Sequence, residues 1–147
     1  MSEESTRVQA DTLADITAFD AVSENEVGVE VELMHQDGAT GTGVFVTVIG
    51  QHADVCVKFT NQEENRKNRE AVMAMRRNKP IPVQTLEEIR ERSIQGAVIR
   101  VTGWRNVKQA FDPELLRQAL KRNPHWVDQI YTVSNDVGNF TKAQQPN

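Results

Sequence analysis

Cysteine is almost missing from this chain. Cys56 stands alone among 147 residues, so no internal disulfide can form, and the expectation is a reducing compartment. Aromatic residues are few as well: two Trp, one Tyr and five Phe. Buried aromatics usually supply much of a core's apolar area, so this core must lean on Val, Ile, Leu and Met. No apolar stretch approaches the roughly 18 residues a membrane span needs. No apolar run follows a basic start, so the expectation is no signal peptide. There is no internal repeat and no low-complexity tract. The apolar fraction of 38% lies below the globular range of roughly 45–50%, glycine included. A modest core with long solvated helices is expected, in a single domain over residues 13–140.

The net charge of −4 hides an asymmetry. Residues 1–37 hold ten acidic side chains and one basic one, Arg7, whereas the remainder holds eleven acidic and sixteen basic, giving −9 and +5. An acidic arm of this kind suits contact with a basic surface, its own or a partner's. Residues 1–12 read as disordered. Leu13, Ile16, Phe19 and Val22, spaced three apart, suggest one short helical face.

The fold class read from the pattern is α+β, an N-terminal β-hairpin packed with a mainly helical C-terminal part. Val27–Met34 alternates, with Val27, Val29, Val31 and Leu33 on one side, as in a half-buried strand. Residues 36–43 are turn chemistry, and Val44–Ile49 is β-branched. The hairpin spans 27–49. A lone hairpin is marginal in water and must pack on helices or pair with another chain. Asp54 is the expected cap of a helix over 55–77 whose middle, Thr60–Glu70, has no apolar residue. Pro80 and Pro82 punctuate the chain. Thr85 and Glu88 match a capping box, opening a helix over 86–101. Asp112-Pro113-Glu114 opens another over 113–122, and Asn123-Pro124 restarts the chain into a helix over 125–135. These last two form a helical hairpin, followed by a flexible tail over 141–147.

Chemical sites are sparse. His52 and Cys56 are four apart, the spacing of a thiolate–imidazole pair on one helix, but His52 precedes the expected helix start. A buried thiol beside a surface imidazole is the plainer reading. One cysteine and three scattered histidines do not supply the three or four ligands that zinc needs. The Gly38–Gly43 loop lacks the Gly-Lys-Ser/Thr ending of a phosphate cradle and precedes a strand. Glu87, Glu88 and Glu91, interleaved with Arg90 and Arg92, read as cap, dipole and surface pairs. No catalytic residue, cofactor or metal is expected. Arg66, Lys67, Arg69, Arg76, Arg77 and Lys79 face one acid, Glu70, across Arg66–Lys79. Without an aromatic for base stacking, and in an acidic chain, they read as a protein-facing basic surface. Trp is a frequent interface anchor. The candidate partner-binding residues are therefore Trp104, Trp126, Arg66, Arg69, Arg76 and Arg77.

The order of these features is distinctive. Asp15-Ile16 leads to Gly28-Val29-Glu30-Val31-Glu32-Leu33. The Asp37–Gly43 loop leads to Val44–Gly50 and a basic, polar helix. Gly103-Trp104 precedes Phe111-Asp112-Pro113-Glu114-Leu115-Leu116, and Asn123-Pro124, Trp126, Gln129-Ile130 and Asn139-Phe140-Thr141-Lys142 follow. Over roughly Asp15–Lys142 this resembles short proteins of tailed phages and prophages described as tail-assembly chaperones or minor tail proteins. The family's Asp-Ser pair after the second strand is only half kept, since His52-Ala53-Asp54-Val55 has the Asp alone. The resemblance implies a non-enzymatic role in the cytoplasm of an infected host. Such chaperones coat the tape-measure protein before the tail tube polymerises around it, and the resemblance extends to other tail proteins as partners and to self-association. Two alternatives remain open. One is a structural virion protein of the tail tube, tail terminator or head–tail joint, located in the tail; the other is a small DNA-binding regulator resting on Arg66–Lys79.

Overall fold

The computed structural model describes residues 13–141. The expected acidic arm over 1–12, and all of the expected tail except Thr141, lie outside the described residues. Strands β1 (Val29–Met34) and β2 (Gly41–Val48) form the expected antiparallel hairpin. The turn between them is closed by Asp37. Its carboxylate accepts the Ala39 and Thr40 amides, both at 2.9 Å, and the Thr40 hydroxyl at 2.6 Å.

The hairpin does not stand alone. A third strand, β3 (Val101–Arg105), pairs antiparallel with the free edge of β2, giving the order β1-β2-β3. This corrects the helix expected over 86–101. Helix α3 (Leu86–Ile99) stops at Arg100, whose carbonyl accepts the Ile49 amide at 2.8 Å. Val101 then enters the ladder opposite Val48. The apolar run 97–102 serves a helix or a strand equally well. The unpaired edge of β2 supplies the strand hydrogen bonds that decide it.

The first strand also starts later than expected. Val27 closes helix α1 (Ala21–Val27) and is exposed. Gly28, at φ 77°, turns the chain into β1, and a side chain there would press on Thr47 Cγ2 and the Val48 carbonyl. Only glycine meets both demands cheaply. The expected helical face from Leu13 to Val22 is broken in two. A 3-10 turn (Ile16–Ala18), capped by Asp15, is followed by α1, capped by Asp20. Leu13, Ile16, Phe19 and Val22 remain exposed.

Helix α2 (Asp54–Arg76) covers nearly the expected span, but Asp54 does not cap it; Ala53 is the N-cap and makes no side-chain bond. Asp54 is instead the first helical residue, where its charge suits the helix dipole. Thr85 caps α3 by accepting the Glu88 amide at 3.1 Å. Asp112 caps α4 (Pro113–Arg122) by accepting the Glu114 amide at 2.9 Å. Pro124 opens α5 (Pro124–Asn135) at its first position.

The core lies between one sheet face and helices α3, α4 and α5. Val46 and Val48 of β2 meet Ala97, Leu116, Leu120 and Ile130, all buried. Helix α3 approaches α5 closely at Gly96, where an added Cβ would strike the Tyr131 hydroxyl; that hydroxyl donates to the Ser93 carbonyl at 3.2 Å. After α5, a 3-10 turn (Val137–Phe140) folds back and buries Phe140 completely. Among the described residues, no helix is long and apolar enough to cross a membrane.

Two outcomes follow from this packing. Phe140→Ala should cost about 3–5 kcal/mol in chemical denaturation, the range for deleting a buried aromatic ring. The Asp37 pKa is lowered from an ordinary 3.8 to about 2, chiefly by the Thr40 hydroxyl and amide. Because the folded value is depressed, its contribution is present above the unfolded pKa and lost as pH falls through about 2. A carboxyl titration by NMR should find its midpoint near that value, and an ordinary midpoint would mean an open turn.

Candidate partner-binding surface

Helices α2 and α3 form a second helical hairpin, joined by residues 77–85. Its reversal is written in the backbone. The Lys79 amide donates to the Ala74 carbonyl at 2.9 Å and the Asn78 amide to Met75 at 3.2 Å. Asn78 sits at φ 49°. This is a Schellman ending, with asparagine in the left-handed position that glycine more often takes. Pro80 and Pro82 then carry the chain to the Thr85 cap.

The polar middle of α2 turns an ionic stripe toward α3. Arg66 pairs with Glu63 at 3.2 Å and Glu70 at 2.8 Å, and Glu63 also receives Arg92 of α3 at 3.2 Å. With its amide oxygen turned to the two guanidinium groups, Gln84 accepts from Arg92 at 2.8 Å. Arg66 thus holds the hairpin together, though its buried Nε has no partner among the described residues. Arg69, Arg76 and Arg77 are exposed and make no ion pair among the described residues.

The two tryptophans are half-buried and their ring nitrogens are engaged internally. Trp104 Nε1 donates to the Gln109 carbonyl at 2.9 Å, and its ring meets Phe111 edge-on with centroids 5.0 Å apart. Trp126 Nε1 donates to the Met34 carbonyl at 2.7 Å. One turn along α5, Gln129 accepts the Met34 amide and donates to the Glu32 carbonyl at 2.6 Å. Its amide thereby stands in for a neighbouring strand on the outer edge of β1. The six candidate residues do not converge on one site: the tryptophans brace the core, Arg66 braces the helical hairpin, and Arg69, Arg76 and Arg77 face outward.

Sequence reasoning missed two features. The first is an open groove of about 690 Å³ between α3 and the α4–α5 corner. Leu86, Ile94, Leu120, Pro124 and Val127 give it an apolar lining, and charges such as Arg90, Glu91 and Lys121 join them. The second is the apolar content of the hairpin turn, where Met75 is 82% and Val83 92% exposed. The run Ile81-Pro82-Val83, apolar inside a polar loop, was the available signal.

The residues weighed for chemistry are placed as follows. Cys56 is fully buried beside Ile49 and Ala53, and burial pushes its thiol up against the opposing charge of Arg100. His52 is exposed in the preceding turn. Glu91 pairs with Arg117 at 2.7 Å, and the Glu88 amide serves the Thr85 cap. Among the described residues, no three His, Cys, Asp or Glu side chains gather as a metal site.

For the partly exposed Glu63–Arg92 contact, a double-mutant cycle to glutamine should give a coupling of about 0.5–1 kcal/mol that shrinks with added salt. A larger, salt-independent coupling would mean the stripe is sealed from solvent. No protein-family model, no curated protein sequence and no solved structure matches this chain.

Proposed function

We propose that this chain is a non-enzymatic tail-assembly chaperone that holds an extended helical client, the tape-measure protein, in the cytoplasm of an infected host. The observation that carries the reading is the open groove between α3 and the α4–α5 corner. An amphipathic helix binds such a surface by laying its apolar stripe along the floor while its flanks meet the charged rim. Leu86, 64% exposed at the mouth, and the exposed Ile89 beside it extend the apolar surface toward the hairpin turn. The resemblance of the sequence to tail-assembly chaperones supplies the class of client.

The alternative of a strand-donating virion protein is less well supported. Both edges of β2 are paired, and Gln129 occupies part of the outer edge of β1. The DNA-binding alternative is weakened in a similar way. Arg66 is committed to Glu63 and Glu70, and the outward cations alternate with exposed Val72, Met73 and Met75. Apolar side chains of that kind suit a protein partner better than a phosphate backbone.

The test is co-expression of the tagged chain with the tape-measure protein, with mass spectrometry of the captured complex and of purified particles. Capture is expected, with the chain depleted from particles. Leu86→Glu should reduce capture at least tenfold at an unchanged melting temperature, because the side chain is exposed in the free protein. Stoichiometric presence in particles, or capture indifferent to Leu86→Glu, would overturn the reading.

A further inference from the structure

Besides the client groove, two further apolar surfaces are uncovered among the described residues, and they differ in sign and in place. The first is the segment Leu13–Asp20, where Leu13, Ile16 and Phe19 are 70–83% exposed. It is acidic. Asp15 accepts the Thr17 hydroxyl at 2.7 Å and amide at 3.0 Å, and Asp20 accepts the Ser23 amide at 3.0 Å and hydroxyl at 2.7 Å. These bonds hold both carboxylates below their ordinary pKa, so the segment stays charged. Glu24 and Glu26 follow it, and no basic residue lies between Leu13 and Asp37 except His35.

The second surface is a pocket of about 380 Å³ at the α2–α3 turn. Arg66, Arg69, Arg77 and Lys79 line it against a single acid, Glu70, over an apolar floor that includes Met73 and Pro82. Arg66 is paired, which leaves Arg69, Arg77 and Lys79 as its outward charges.

These surfaces sit at opposite ends of the long helix. Asn25 accepts the His52 amide at 3.2 Å and Glu26 the Asp54 amide at 3.4 Å, which ties α1 to the start of α2. The pocket is lined from Arg66 onward, over the last turns of that 23-residue helix and the chain beyond it, so it begins about 18 Å from the helix start at 1.5 Å per residue. The segment is folded into capped turns, and none of its residues lines the pocket of its own chain.

We infer that the Leu13–Asp20 segment of one copy docks in the basic pocket at the α2–α3 turn of a second copy. Phe19 and Ile16 meet the apolar floor, and Asp15 and Asp20 meet the free cations. The contact is heterologous: each chain offers one donor and one acceptor, so association continues past the dimer or closes as a ring. It gives a specific surface to the self-association that the resemblance to tail-assembly chaperones implies. It does not use the client groove, so it stands or falls separately from the client.

The test is sedimentation of the full chain over a concentration series at low and high salt. The average mass should rise with concentration at low salt and fall when salt screens the contact. The variant Ile16→Asp/Phe19→Asp removes the donor, and Arg69→Glu/Arg77→Glu reverses the acceptor. All four positions are exposed, so both variants should fold, as circular dichroism would verify. Each alone should be monomeric. Mixed together, they should form a one-to-one dimer and nothing larger, because only one donor–acceptor pair survives. A wild-type chain that stays monomeric, variants that assemble like wild type, or a mixture that stays monomeric would each overturn the inference. Client capture by the Ile16→Asp/Phe19→Asp chain, and self-association of Leu86→Glu, keep this result apart from the test of the groove.

Discussion

The rest of the structure depends on the central strand β2 having both edges paired and one face covered. Val46 and Val48 have no solvent exposure. That state requires β1 on one side, β3 on the other, and the α3, α4 and α5 helices above. The chain meets these requirements from far apart in sequence, since β3 begins more than fifty residues after β2 ends. Closing so long a loop costs conformational entropy, and the ladder and apolar burial must offset it. The α2–α3 hairpin is the segment that spans this gap.

That role accounts for the character of α2. Its buried residues lie near its ends, at Cys56 and Ala74, and its middle faces α3 through Glu63, Arg66 and Glu70. Partly exposed ion pairs contribute little stability individually. Local hydrogen bonding therefore carries most of the helix, and the far turn rises off the core with its apolar side chains uncovered. Uncovered apolar surface is costly in water unless a partner covers it. The proposed client groove and the proposed contact between copies both draw on this margin of the fold.

A core with few aromatics also explains where the large side chains went. Trp126, His125 and Gln129 of α5 all reach the backbone of β1, the first two at the Met34 carbonyl. They fix the helix on the strand edge by directional bonds, where an apolar contact would fix it less tightly. Phe140 closes the opposite corner against α1 and the loop after β2. Residue type alone marked the two tryptophans as partner anchors; in the structure both indole N–H groups bond within the chain while the rings stay partly exposed.

Much was legible without coordinates, because it depends on neighbours a few residues apart. Alternation at Val29, Val31 and Leu33 identified β1, β-branching identified β2, Thr85 and Asp112 marked helix starts through bonds to amides two or three residues on, and Pro113 did so through its fixed φ. The basic surface at Arg69, Arg76 and Arg77 was legible as a cluster of charge. Other features required partners distant in sequence. Val101–Arg105 is a strand because β2 has an open edge there, and an apolar run by itself does not choose between helix and strand. Gly28 ends the alternation at Val29 through a backbone angle that the pattern of side chains does not encode. The groove between α3 and the α4–α5 corner exists only once helices from separate parts of the chain lie side by side. Short-range hydrogen bonds and periodicity settled the elements; long-range burial and edge pairing settled which surfaces they hid and which they left open.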